Sequence, residues 1–246
     1  MTRSHIPGLL PKYITGAVDA ARAAPSADNL QPIAFRCSAN AIRLVPRQTS
    51  GPTFAARHPA TLMAVGAALE NVSQAAAAMG TAIKVHVAES SDEYARIEFA
   101  PSGSGDLDAL SSHPLFARHT NRHPYKATPI SSEIASAVAD IRETGARVAL
   151  IRSASELALL AHATRIASEA RFRTPEIHAW LGASLRPTPD SAAAGDGLDL
   201  RTLHLPMGGR HFLEYIADWR RLERLNRVGA YRLLGAIESQ PIRNGP

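Results

Sequence analysis

Residues 60–79 read ATLMAVGAALENVSQAAAAM, and this stretch decides the fold. Its apolar positions Leu62, Val65, Leu69, Val72, Ala76 and Met79 advance by alternating threes and fours, the spacing of one helical face. Gly80 follows where a helix stops. Ala67, Ala68 and the run from Ala75 to Ala78 carry so little side-chain bulk that neighbouring backbones can approach on several sides. A central, largely buried helix is expected.

Outward from that helix the period changes to two. Ile33, Phe35 and Cys37 alternate with Ala34 and Arg36, SAN at 38–40 makes a turn, and AIRLVPR at 41–47 returns, which is the pattern of a β-hairpin. Downstream, AIKVHVA (82–88) and YARIEFA (94–100) alternate on either side of the polar ESSDE, giving a second antiparallel pair. PSGSGDLDAL (101–110) is the expected linker, with a boundary between a first half, residues 1–105, and a second, residues 106–246. In the second half Ser131 or Ser132 can cap a helix with Ile134, Val138 and Ile141 on its apolar face, ending at Gly145. ARVALIR (146–152) reads as a strand. Ser153 and Glu156 form a capping box that starts the next helix, and Pro175 suits the first turn of a short helix containing Trp180.

From Leu181 to Met207, Pro, Gly, Asp and small residues predict an irregular excursion, the composition of a lid over a site. From His211 to Ile237, Phe212, Ile216, Trp219, Leu222 and Leu225 mark one helical face. The expected class is α+β, with antiparallel-rich sheets packed around the buried alanine-rich helix.

The bulk composition limits the functions available. A chain of 246 residues can bury a sizeable core, and 45% hydrophobic with 20% charged residues is the profile of a folded, soluble protein. Cys37 is the sole cysteine, so no internal disulfide forms and an oxidising compartment is not required. No apolar run is long enough to span a bilayer, and MTRSHIPGLLPKY at the start lacks the apolar segment of a secretion signal. A cytoplasmic location without membrane association is expected. The net charge of +5 comes from arginines scattered among acids, which suits an anionic ligand. Arg220, Arg221, Arg224 and Arg227 make a basic stripe, but Asp218 and Glu223 interrupt it, so it reads as a solvated face and nucleic acid is not an expected partner.

Two polar knots stand out. Ala24 to Pro32 reads APSADNLQP, and Arg118 to Tyr125 reads RHTNRHPY. The first is either a turn in which Ser, Asp and Asn bond the local backbone, or a cleft wall in which Ser26, Asn29 and Gln31 present groups that donate and accept, as the edge of a heterocycle requires. The second is either a solvated loop or an anion cradle, since Arg118, Thr120 and Arg122 at alternate positions converge on one side of an extended chain. His119 and His123 lack an acidic third ligand in the same segment, and no metal is expected. His162, inside a mostly apolar helix, reads as a satisfied core residue.

Together the knots resemble the nitroreductase family of flavoproteins. Arg118, Thr120 and Arg122 match that family's R-x-S-x-R segment with threonine for serine. Pro25, Ser26, Asn29, Gln31 and Pro32 match its P-S-x-x-N-x-Q-P segment. The ring segment here precedes the phosphate segment, as in the twin-domain proteins of mycobacteria in which one chain imitates the usual dimer. Gly66, Ala67, Ala68, Leu69 and Asn71 match their GAAL-N helix, and Leu225 to Leu234 resembles their LNR-G-YRLL. The resemblance implies tandem pseudo-dimeric halves binding FMN, with Arg118, Thr120 and Arg122 on the phosphate side and Ser26, Asn29 and Gln31 on the ring side. It implies electron transfer from NAD(P)H to a nitroaromatic or quinone-like acceptor, with flavin sequestration as the alternative, and leaves a homodimer open. Members continue into a further alanine-rich helix, a strand and a basic segment, so the second half is expected to be truncated, or else completed by another chain.

Overall fold

The computed structural model describes residues 10–48, 54–100, 107–123, 125–126, 128–143 and 146–244. The chain divides into two compact units, residues 1–121 with 183–199, and residues 122–182 with 200–246. The boundary expected between residues 105 and 106 lies outside the described residues. Among the described residues no helix is long and apolar enough to cross a membrane.

The first unit is α+β. Helix α1 (Lys12–Arg22) leads to strands β1 (Ile33–Cys37) and β2 (Ala41–Pro46), then helix α2 (Pro59–Ala78), strands β3 (Ile83–Val87) and β4 (Ala95–Phe99), and the short helix α3 (Leu107–Ser111). Both expected hairpins are present. They join into one antiparallel sheet of order β1-β2-β4-β3, in which Ile97 of β4 lies opposite Ile42 of β2 on one side and Val85 of β3 on the other.

Helix α2 starts where His58 accepts the Ala60 N–H through Nδ1, with Pro59 at a position whose own N–H would be unpaired anyway. It ends at Gly80, whose φ of +63° a residue with a Cβ adopts only under strain. The expectation that α2 is largely buried needs correction. It buries one stripe, Ala64, Val65, Ala68, Val72, Ala75 and Ala76, while Leu62 and Met63 are 39% and 76% exposed. The small stripe faces the alanines of α1, and Ala17, Ala20 and Ala21 there are likewise buried. Bulk is supplied from the sheet by Ile42, Leu44, Ile97 and Phe99. Asn71 donates through Nδ2 to the Ala20 carbonyl at 2.9 Å, fastening α2 to α1.

The second unit is mainly helical: α4 (Ser132–Ala139), α5 (Ala154–Arg173), α6 (Pro175–Ser184), α7 (Gly209–Ile216), α8 (Trp219–Asn226) and α9 (Ala230–Arg243). Ser131 caps α4 and Ser153 caps α5 by accepting the Ile134 and Glu156 N–H groups. Four expectations fail here. Helix α4 stops at Ala139, short of Ile141, and only Ala146–Arg147 of the expected strand 146–152 pairs, with Arg142–Glu143. The single helical face from His211 to Ile237 is cut into three helices, because Asp218 caps a new one by accepting the Arg221 N–H, and Gly229 turns the chain at φ +87°. His162 is exposed rather than buried. Helices α5 and α9 approach so closely that a Cβ on Gly235 would lie 3.0 Å from the Arg165 carbonyl oxygen.

The buried histidine of this unit is His178. It is 0% exposed, its ring lies 5.5 Å from Trp219 and 6.4 Å from Phe172, and neither ring nitrogen has a partner of good hydrogen-bond geometry. Burial holds its pKa below the ordinary 6.5; the Ile216 carbonyl opposes this, the Arg171 guanidinium reinforces it, and Asp218 opposes it. The unfolded chain therefore takes up a proton at acidic pH that the folded unit refuses. Stability is unaffected by His178 above about pH 6.5 and is lost as the pH falls below it. Urea midpoints are expected to drop on acidification in the wild type, and the drop is smaller in His178→Phe. Parallel pH profiles for the two proteins would contradict the account.

Candidate functional site

The stretch Ser26–Pro32 is a strained turn. Asp28, Asn29 and Gln31 have φ of 48°, 53° and 48°, the left-handed region, which Asn and Asp tolerate and Gln adopts at a cost. Such strain persists only where surrounding bonds over-determine it. Here Ser26 Oγ accepts the Gln31 backbone N–H at 3.1 Å, and Asn29 Oδ1 accepts from Gln31 Nε2 at 2.8 Å. Asn29 also exchanges two bonds with Gly197: its Nδ2 donates to the Gly197 carbonyl at 3.0 Å, and its own carbonyl accepts the Gly197 N–H at 2.8 Å. Ser26 bonds the local backbone, Asn29 ties the turn to Gly197, and Gln31 lines a cleft.

That cleft measures about 590 Å³ and belongs wholly to the first unit. Its walls carry Arg22, Gln31, Phe35, Arg47 and Phe116, with Asp19 as the lining carboxylate and Ala194 and Gly195 along one edge. The last two come from the excursion predicted at 181–207. It contains a helical turn (Pro189–Ala192) and a two-residue parallel ladder, Leu185–Arg186 with Leu198–Asp199. Asp196 fixes this segment: its Oδ1 accepts from Arg186 Nε and Nη2 at 3.2 and 2.8 Å, and its Oδ2 lies 3.3 Å from Arg47 Nη2.

The second knot falls across the two units. Arg118 and Thr120 belong to the first and Arg122 to the second. Arg118 donates through Nη2 to the Ala23 carbonyl at 3.0 Å, which ties it to the residue that precedes the first knot. Phe116, two residues earlier, lines the same cleft as Gln31. Thr120 is exposed and Arg122 half-buried. His123 stacks on His204 with ring centroids 3.6 Å apart.

Arg22, Arg47 and Asp196 were not singled out by the sequence reading. One signal was available for Arg47. The hairpin register sets Ile33 opposite Pro46, so the next residue necessarily lies beside Pro32, and the Arg47 N–H indeed donates to the Pro32 carbonyl at 2.9 Å. Nothing local marks Asp196, which arrives from about 150 residues downstream and meets Arg47 only through the fold.

No family model matches the sequence. The chain is similar to Uncharacterized protein MT1398 of Mycobacterium tuberculosis (strain CDC 1551 / Oshkosh), at 32% identity over 204 residues. The match covers 80% of this chain and 28% of that protein, so the chain spans little more than a quarter of the relative's length.

Proposed function

We propose that this chain is a flavoprotein of nitroreductase type, two pseudo-dimeric halves on one chain, whose first unit holds FMN in the cleft beside Gln31. The observation that carries the reading is that Gln31 of the first knot and Phe116, two residues before Arg118 of the second, line one cavity. The lining fits the group. Phe35 and Phe116 offer apolar ring faces to a flat heterocycle, the Gln31 amide donates and accepts at its edge, and the guanidinium groups suit an anionic tail. A volume of about 590 Å³ lies within the usual range of small-molecule sites.

Each side chain then has a defined task. Ser26 and Asn29 hold Gln31 in its strained conformation rather than touching the ligand. Arg118 gives one N–H to Ala23 and retains others of its five for a phosphate; Thr120, in the same unit, joins it on the family resemblance. When bound, the flavin supplies electron transfer from NADH or NADPH to a nitroaromatic or quinone-like acceptor, and the chain's own groups bind, orient and shield it.

The first test is a visible spectrum of the purified protein followed by titration with FMN. A folded, colourless protein that ignores FMN overturns the reading. Gln31→Ala is expected to weaken FMN by about three- to tenfold, the worth of a neutral hydrogen bond, while Gln74→Ala at an exposed position of α2 leaves it unchanged. Equal effects would remove Gln31 from the site.

A second reading, storage of FMN without turnover, is favoured by one observation: Ala194 and Gly195 of the excursion form part of the cleft wall, and so narrow the approach for a nicotinamide. Anaerobic mixing with NADPH separates the two. Bleaching of the yellow colour marks a reductase, and persistent colour marks storage.

A further inference from the structure

We propose that Arg22 and Arg47 form an anion subsite in the first-unit cleft, one that takes a phosphate group of the bound ligand, with Asp196 as the positioning residue for Arg47. This subsite is built from elements other than those carrying Arg118, Thr120 and Arg122, to which the family resemblance gives the flavin phosphate; FMN has one phosphate, so if it sits at Arg22 and Arg47 those three do not hold it. It rests on the flavoprotein reading only for the identity of the compound that carries the phosphate.

The two arginines that line the cavity belong to different elements. Arg22 stands in the last turn of α1, and its guanidinium makes no hydrogen bond or ion pair among the described residues. Arg47 follows the end of β2, where its backbone N–H is held by the Pro32 carbonyl. Its guanidinium meets Asp196 through one nitrogen at 3.3 Å, which leaves most of its donors to other partners.

Asp196 does not neutralise Arg47, because it is already matched by Arg186, which spends two nitrogens on its Oδ1. Arg186 is in turn fixed by donating Nη1 to the Ala183 and Leu185 carbonyls at 2.8 and 3.0 Å. The triad therefore carries one net positive charge, and that charge faces the cavity at Arg47. Among the charged side chains that line the cleft, two guanidinium groups stand against the single carboxylate of Asp19. A phosphate, with three acceptor oxygens, can occupy two guanidinium forks at once, whereas a carboxylate is satisfied by one.

The phosphate can belong to a flavin or to a nicotinamide dinucleotide, and the experiment separates these. Wild type, Arg22→Gln, Arg47→Gln, Arg47→Lys, Asp196→Asn and Asp196→Glu are titrated with FMN, riboflavin, NADP⁺ and inorganic pyrophosphate, with thermal melts recorded alongside. If the flavin supplies the group, Arg47→Gln weakens FMN by about tenfold or more, the worth of a charge-assisted contact, and leaves riboflavin unchanged. If the nucleotide supplies it, NADP⁺ weakens and both flavins hold. In either case Arg22→Gln acts in the same direction, Arg47→Lys recovers part of the loss, and Asp196→Asn shifts the same ligand in the same sense, with recovery in Asp196→Glu. A merely structural role for Asp196 would move FMN and riboflavin together. The proposal falls if Arg47→Gln weakens FMN and riboflavin equally, or if no phosphate-bearing compound is affected. Should wild type bind neither flavin, the flavoprotein reading fails separately; pyrophosphate binding that is lost in Arg47→Gln then sustains the subsite, and its absence or persistence removes it.

Discussion

Gly197→Val is expected to lower the unfolding free energy by about 3 kcal/mol, the sum of left-handed backbone strain and a steric clash, and to abolish ligand binding at the cleft. Gly197 has φ +74°, and a Cβ there would stand 2.6 Å from both the Ser184 carbonyl oxygen and Arg186 Cζ. The arginine end could shift, but the carbonyl is backbone and cannot yield without moving the 183–199 segment. That movement breaks the paired bonds with Asn29, which in turn orients Gln31. The contrast is Gly66→Ala in α2, where no atom lies within 4 Å of the added Cβ and φ is helical. It should gain about 0.5–1 kcal/mol, because glycine loses more backbone freedom on folding than alanine does. Urea denaturation of both variants against wild type measures the two signs. A wild-type midpoint for Gly197→Val would mean that the segment is not held where the cleft needs it.

How much of this was legible in the sequence depends on the range of the interaction. The helix at 59–78 and both hairpins could be read because their periodicity is local, and Gly80 marks its own backbone requirement. The sheet order could not, since nothing in YARIEFA indicates that β4 will pair with β2 as well as with β3. The alanine-rich composition of α2 suggested close approach on several sides, yet the packed residues form one stripe that leaves Met63 outside, because α1 approaches on its own small residues. His162 was misjudged because apolar neighbours along a helix do not fix which face it shares. At the site, the first knot was visible as an anomaly, but residue types alone could not separate Gln31, which lines the cavity, from Ser26 and Asn29, which serve the backbone. Arg47 and Asp196 are joined only by tertiary structure.

Ile97→Ala should cost about 3 to 4 kcal/mol, in the upper half of the range for truncating a large aliphatic core residue. Strand β4 alternates buried and accessible positions, and Ile97 is 0% exposed at the centre of its inner row. The cost of such a truncation depends on how far the surroundings collapse into the space. Collapse is restricted here from two sides. Strand β4 is held laterally between β2 and β3, so its backbone cannot move toward the helices without breaking ladders on both edges. The α1 and α2 residues that share its cluster are largely alanines, which have no rotamers to swing inward. Val85 provides the comparison: it lies opposite Ile97 on β3 but is 40% exposed, and its truncation to alanine should cost about 1 kcal/mol or less because little of the lost surface was dry. The ratio of these two losses, measured by urea denaturation, tests whether the alanine-rich helices seal the inner face of the sheet. A loss under about 1 kcal/mol for Ile97→Ala would mean that the sheet and helices are not packed to native density, and a cleft whose walls are the ends of α1 and β2 could not then hold Arg22 and Arg47 in a fixed relation.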